Sequence, residues 1–205
     1  MYIVFEGTVG TGKSTQARRL AEFLKSRGKD VLLTREPGGS EIADSVRKLV
    51  QGTKFSEHME PVCEAYLYAA SRAQTLRKVV MPALDKGFIV IADRSYITSM
   101  AYQGFARGLT FERILEINDP AVVIRPDAVL YMSLPPKTGL ERTHDQAGDK
   151  FEREDVAFFD KVQEGYRQLS LRKDLCGAWI NIDATGSKDQ VFSRIYKELS
   201  GILRL

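Results

Sequence analysis

Eight residues near the start of the chain, Gly7-Thr8-Val9-Gly10-Thr11-Gly12-Lys13-Ser14, constrain the fold more than any others. They fit the pattern G-x-x-x-x-G-K-[ST]. They also stand between an apolar β-prone run, Tyr2 to Phe5, and a segment, Ser14 to Lys25, that puts Ala17, Leu20, Ala21 and Leu24 at helical spacing. The glycines let the backbone turn with its N–H groups inward, and the start of the following helix adds its positive dipole end, so such a loop favours phosphates. Lys13 is expected to reach the β- and γ-phosphates of ATP, and the Ser14 hydroxyl to ligate Mg2+. An ordinary glycine-rich turn would have to match both pattern and context by accident.

The same alternation continues. Val31 to Thr34, Phe88 to Ala92, Ala128 to Met132 and Trp179 to Ile182 read as further short strands with helical patterns between them. Five strands joined by helical crossovers predict a parallel sheet with helices on both faces: an α/β, three-layer P-loop fold, expected as one domain over residues 1–205. A hydrophobic share of 43% with 28% charged residues is that of a globular chain. The net charge of +3 with scattered basic residues speaks against nucleic acid as a partner. No apolar run is long enough to span a bilayer and no leader pattern precedes the first strand, so a cytoplasmic location is expected. Cys63 and Cys176 match no metal-ligand spacing and are expected as buried free thiols.

In a doubly wound sheet, ligands bind beyond the carboxyl ends of the strands. Three polar segments that follow strands, Gly7 to Ser14, Arg35 to Ser40 and Asp93 to Tyr96, should therefore meet at one edge. Arg35 suits bidentate binding of a second phosphate group. Asp93 stands where a Walker-B-like carboxylate would help to hold Mg2+, and Arg94 would neutralise charge on the phosphates. Tyr68 and Arg72 stand four residues apart on one predicted helix, so a ring to stack on a base and a donor to its carbonyl share a face, with Tyr102 and Gln103 as further candidates. The segment 142–153, rich in both charge signs, has the composition of a lid, with Arg142, Lys150 and Arg153 as its basic candidates. The loop alone is shared by GTPases, transport ATPases and kinases. The chain has no Asn-Lys dipeptide, so the guanine-reading motif of Ras-type GTPases is missing.

Nearly end to end these segments resemble the bacterial-type thymidylate kinase family. The resemblance is carried by Phe5-Glu6-Gly7, the P-loop, Arg35-Glu36-Pro37-Gly38-Gly39, Tyr68-Ala69-Ala70-Ser71-Arg72, Asp93-Arg94, Ala101-Tyr102-Gln103-Gly104, Phe151-Glu152 and Ile182-Asp183-Ala184. It implies transfer of the ATP γ-phosphoryl to dTMP with Mg2+. Gly7 through Thr15 would line the ATP phosphates, Arg142 would stack on adenine, and Asp183, Ala184 and Thr185 would contact it through their backbone. Arg35 and Arg94 would hold the dTMP phosphate, Tyr68 would stack on thymine and Arg72 would bond a thymine carbonyl. Thr98, Ser99 and Gln103 would line the thymine side, and the Tyr102 ring would disfavour a 2′-hydroxyl. Gly10 occupies the position where another subtype carries arginine, which implies Lys150 and Arg153 as catalytic residues on the lid beside Lys13 and Arg94. A homodimer is also implied.

Three positions depart from the family pattern. Val9 replaces the usual carboxylate, and its side chain can neither accept a hydrogen bond nor bind a metal. Ser95 replaces Tyr or His, and Lys150 replaces a lid arginine. Beside dTMP kinase, two readings stay open at this point: a kinase for another nucleoside monophosphate or deoxynucleoside, and a nucleotide-binding module of low turnover.

Overall fold

The computed structural model describes residues 1–52, 55–143 and 154–203. Five parallel strands, β1 (Tyr2–Glu6), β2 (Val31–Arg35), β3 (Ile89–Asp93), β4 (Ala128–Ser133) and β5 (Ala178–Asp183), form one sheet in the order β2-β3-β1-β4-β5. The all-buried β1 lies at the centre, pairing Ile3 with Ile91 of β3 on one side and with Ala128 of β4 on the other. Each strand runs one residue past the apolar stretch that announced it, ending on Glu6, Arg35, Asp93, Ser133 or Asp183. The backbone ladder continues wherever strands stay paired, whatever the side chain, so five polar residues are delivered to the carboxyl edge of the sheet.

Side chains alternate across the sheet as the pleat requires. Ile3 and Phe5 face α1 (Lys13–Ser26) and α9 (Lys188–Leu203), which bury Leu20, Leu24, Ile195 and Leu199. Tyr2 and Val4 face the opposite layer with Leu76 and Val80. That layer contains α2 (Glu41–Val50), α3 (Pro61–Thr75), the short α4 (Met81–Asp85) and α5 (Tyr96–Ser99), α6 (Phe111–Asn118) and α8 (Val156–Leu169). α7 (Pro136–Thr143) follows β4, and the predicted lid residue Arg142 lies in its last turn rather than in a loop. No described helix is long and apolar enough to cross a membrane.

Two π-helical segments interrupt the second layer, Leu76–Val80 between α3 and α4, and Met100–Ala106 directly after α5. The wider π turn aligns residues four and five apart, which puts Thr98, Tyr102 and Gln103 along one side. Helical periodicity alone does not announce this. The expectation of two buried thiols is corrected: Cys63 is exposed on α3 because it lies off the face that buries Ala65, Tyr68, Ala69 and Arg72, and Cys176 is half-buried in the turn before β5.

Candidate active site

The P-loop begins at the end of β1 and feeds α1. Gly12, at φ 86°, occupies the helix N-cap and supplies no side-chain cap, whereas Ser40, Ser95, Thr110 and Asp155 cap α2, α5, α6 and α8. The first N–H groups of α1 are thus left for an anion. Lys13 Nζ donates to the Thr8 carbonyl and to Thr11 Oγ1 at 3.2 Å, so the lysine is folded along the loop. Gly7, Thr8 and Thr11 are buried, while Thr15 is half-buried on α1 and lines neither of the two cavities described below. Gly10, at φ 68°, lies so close to α7 that a Cβ would meet the Gly139 carbonyl oxygen at 2.0 Å. No side chain, arginine included, fits at position 10 in this arrangement. From α7, Arg142 donates to the carbonyls of Gly10 at 3.5 Å and Ala184 at 3.4 Å, bridging the loop to the end of β5. There Asp183 accepts from the Thr185 N–H at 2.9 Å and hydroxyl at 3.0 Å, and these bonds hold its carboxyl below the usual range.

Beside the loop, a cleft of about 610 Å³ is lined by Val9, Gly10, Lys13, Ser14, Arg35, Asp93 and Arg94 among others, so the three polar strand ends meet. Ser14 Oγ donates to Asp93 Oδ2, and Asp93 Oδ1 is buried with no partner among the described residues. No group of three or more His, Cys, Asp or Glu stands together among those residues. One hydroxyl and one carboxylate next to a phosphate cradle fit Mg2+, which keeps waters and phosphate oxygens in its shell rather than an all-protein cage. Arg35 reaches Asp44 Oδ1 at 3.3 Å with its guanidinium still largely open to solvent.

Arg94 is more tightly placed. Its backbone takes φ 75°, in the left-handed region that non-glycine residues avoid, and its guanidinium donates to the Gly7 carbonyl at 3.2 Å and Thr98 Oγ1 at 3.4 Å. It lies over the Tyr102 ring, 5.2 Å from the centroid. Behind it, Glu6 is fully buried and accepts from Ser95 Oγ at 2.7 Å, Thr98 Oγ1 at 2.5 Å and Tyr166 of α8 at 2.7 Å. Burial pushes the Glu6 carboxyl up, against the pull of these three hydroxyl donors and of Arg94. Ser95 both supports Glu6 and caps α5 by accepting from the Ile97 N–H.

A second, smaller cavity is lined by Val9, Pro37, Gln51, Tyr68, Arg94, Thr98, Tyr102 and Gln103. Arg72 is not one of its lining residues. It is 2% exposed, pairs with Glu36 at 2.6 Å, and donates to Asn118, to the Ser95 carbonyl at 3.2 Å and to Ser99 Oγ at 3.1 Å. Those four bonds leave one of the five guanidinium N–H groups for a ligand. Ser99, fully buried, is likewise turned to Arg72. Lys150 and Arg153 lie outside the described residues.

The sequence reading missed Glu6 as a side chain with work of its own, along with Tyr166, Asn118 and the Glu36 carboxylate. A glutamate closing the otherwise apolar Tyr-Ile-Val-Phe-Glu run was a visible signal for the first. Nothing local marks Tyr166, which lies 160 residues from its partner.

A family model described as thymidylate kinase matches residues 5–195. A protein named thymidylate kinase from Syntrophotalea carbinolica is 41% identical over 212 residues, covering 100% of this chain and 97% of that protein. Its namesake from Thermosipho africanus is 41% identical over 196 residues, covering 95% of each. Another, from Geobacillus thermodenitrificans, is 41% identical over 94% of this chain and 86% of its own length. With a P-loop at one wall of the crevice and Arg35 and Arg94 facing it from neighbouring strand ends, the chain belongs to the thymidylate kinase family.

Proposed function

We propose that the chain acts as one kinase domain that transfers the γ-phosphoryl of ATP to dTMP, forming ADP and dTDP. One observation carries the reading: Val9 and Arg94 line both the P-loop cleft and the aromatic pocket, so a phosphoryl group passing between two bound nucleotides would cross at those residues. The open N–H groups of α1 and Lys13 take the donor phosphates. Arg142 and the Asp183–Thr185 backbone take the adenine side. Arg35 and Arg94 take the dTMP phosphate, while Tyr68, Thr98, Tyr102 and Gln103 enclose the nucleoside and Arg72 offers its remaining N–H. Ser14 and Asp93 would hold Mg2+, which supplies charge neutralisation on the donor phosphates. The acceptor oxygen is already ionised at neutral pH, so positioning and charge compensation suffice without a general base. Lys150 and Arg153 are proposed to bring further positive charge to the transferring group.

We further propose a cytoplasmic homodimer, with exposed Leu49 on α2 and Val62 and Tyr66 on α3 as the apolar surface that favours pairing. A coupled assay of ADP formation across dTMP, dUMP, dGMP and thymidine tests the reaction. Preference for dTMP is expected. Preference for another acceptor replaces the substrate, and nucleotide binding without turnover would favour a regulatory module.

A further inference from the structure

Gln103 lies in the π-helical segment, 1% exposed, and lines the aromatic pocket with Tyr68, Thr98 and Tyr102. Its amide Nε2 donates to Glu64 Oε1 at 2.6 Å, and Glu64, on α3, is itself 2% exposed. A carboxylate offers only acceptors, so the end of the amide that faces Glu64 has to be the NH2 group. The chemistry of the pair therefore decides which way the amide points. The other end, Gln103 Oε1, is buried and has no hydrogen-bond partner among the described residues. A buried acceptor without a donor is unfavourable, and a ligand that brings an N–H relieves it.

We infer that Glu64 is a specificity-setting positioning residue. By fixing the Gln103 amide it makes the pocket present an acceptor, which selects bases whose ring nitrogen carries a hydrogen over bases whose ring nitrogen is itself an acceptor. This rests on the reading that the pocket takes a pyrimidine monophosphate. Thymine and uracil carry N3–H and satisfy Oε1. Cytosine sets its N3 lone pair against that oxygen, and the wrong amide end cannot be exchanged for the right one while Glu64 holds it. The 5-methyl group of thymine plays no part in this contact, so Glu64 should leave the choice between dTMP and dUMP alone.

The test compares kcat/KM for dTMP, dUMP and dCMP in the unaltered chain and in Glu64→Gln, which preserves size and lets the two facing amides turn together. The dTMP:dCMP ratio is expected to fall at least about tenfold, because a site built to bond a substrate N–H discriminates through that bond. The dTMP:dUMP ratio and the KM for ATP are expected to stay unchanged. An unchanged dTMP:dCMP ratio, or an equal loss on all three acceptors, overturns the inference and leaves the proposed reaction standing. Failure of the unaltered chain to phosphorylate dTMP removes the proposed reaction and the inference with it. If Glu64→Gln does not fold, competition in the unaltered chain decides: N3-methyl-dTMP should inhibit dTMP phosphorylation at least about tenfold more weakly than dUMP does. Equal inhibition would overturn the idea.

Discussion

The two walls of the crevice are built differently. The loop wall is made of backbone: uncapped N–H groups at the start of α1, glycines at positive φ, and carbonyls that take Lys13 and Arg142. The acceptor wall is made of side chains that hold one another: Glu6 with Ser95, Thr98 and Tyr166, and Arg72 with Glu36, Asn118 and Ser99. A backbone cradle binds any phosphate chain that fits it. A wall of interlocked side chains is particular about what it accepts, and each member depends on partners far away in the sequence. Substitutions on the loop wall should therefore act on ATP, except at Val9, which lines both cavities, whereas those on the acceptor wall should act on stability and on the acceptor together.

The largest effect should come from Arg72→Met. It leaves the Glu36 carboxylate buried and unpaired, and breaking such a pair costs about 3–5 kcal/mol. Chemical denaturation measures it, and a loss no larger than that of a surface substitution would dissolve the contrast. Next is Gly10→Ala. The new Cβ would meet the Gly139 carbonyl at 2.0 Å on a backbone at φ 68°, so loop and α7 have to separate. A displacement of this kind should lower kcat/KM for ATP about a hundredfold while changing KM for dTMP little. Equal damage to both substrates would mean that the walls are not independent.

Glu6→Gln should act more gently, raising KM for dTMP about threefold to tenfold through the lost acceptor for a hydroxyl. Its pH dependence has a definite sign. Because burial raises the carboxyl, the stability that protonated Glu6 contributes is complete below the ordinary glutamate value of about 4.3 and is lost as pH rises through the higher folded value. The amide that replaces the carboxyl in Glu6→Gln cannot ionise. The unaltered chain should thus lose stability relative to the variant as pH rises from that range towards neutrality, and parallel denaturation midpoints would refute this. The smallest effect is expected for Val9→Asp. Val9 lines both cavities without a polar atom in its side chain, and a carboxylate there should raise kcat/KM for dTMP a few-fold; an unchanged rate in the coupled assay would show that its absence is not limiting.

Much of the loop wall was legible because its determinants are local. Pattern, strand and helix lie within 26 residues, and the glycines announce the positive φ angles that the turn needs. The acceptor wall was legible only in its parts. Arg35, Asp93 and Arg94 could be placed at the sheet edge because strand ends are predictable, yet nothing in the Tyr68–Arg72 spacing told that the arginine would be spent largely on Glu36, Asn118 and Ser99. Four of its bonds join α3 to residues 23 to 46 positions away. The π turn that aligns Thr98, Tyr102 and Gln103 was likewise hidden, because a single added residue per turn leaves no mark on apolar periodicity.

By itself, then, the sequence determined the parallel α/β sheet, the phosphate loop and which polar residues close the strands. Those follow from residue spacing of 2.0 and 3.6 and from glycine's freedom at positive φ. Tertiary structure decided which of the polar residues face a ligand and which face each other. It buried Glu6 under Arg94, turned Arg72 inward, brought Gly139 against Gly10 and aimed the Gln103 amide through Glu64. The reason is that a buried charge or amide is stable only with its partners supplied, and those partners arrive from other elements once the layers have packed.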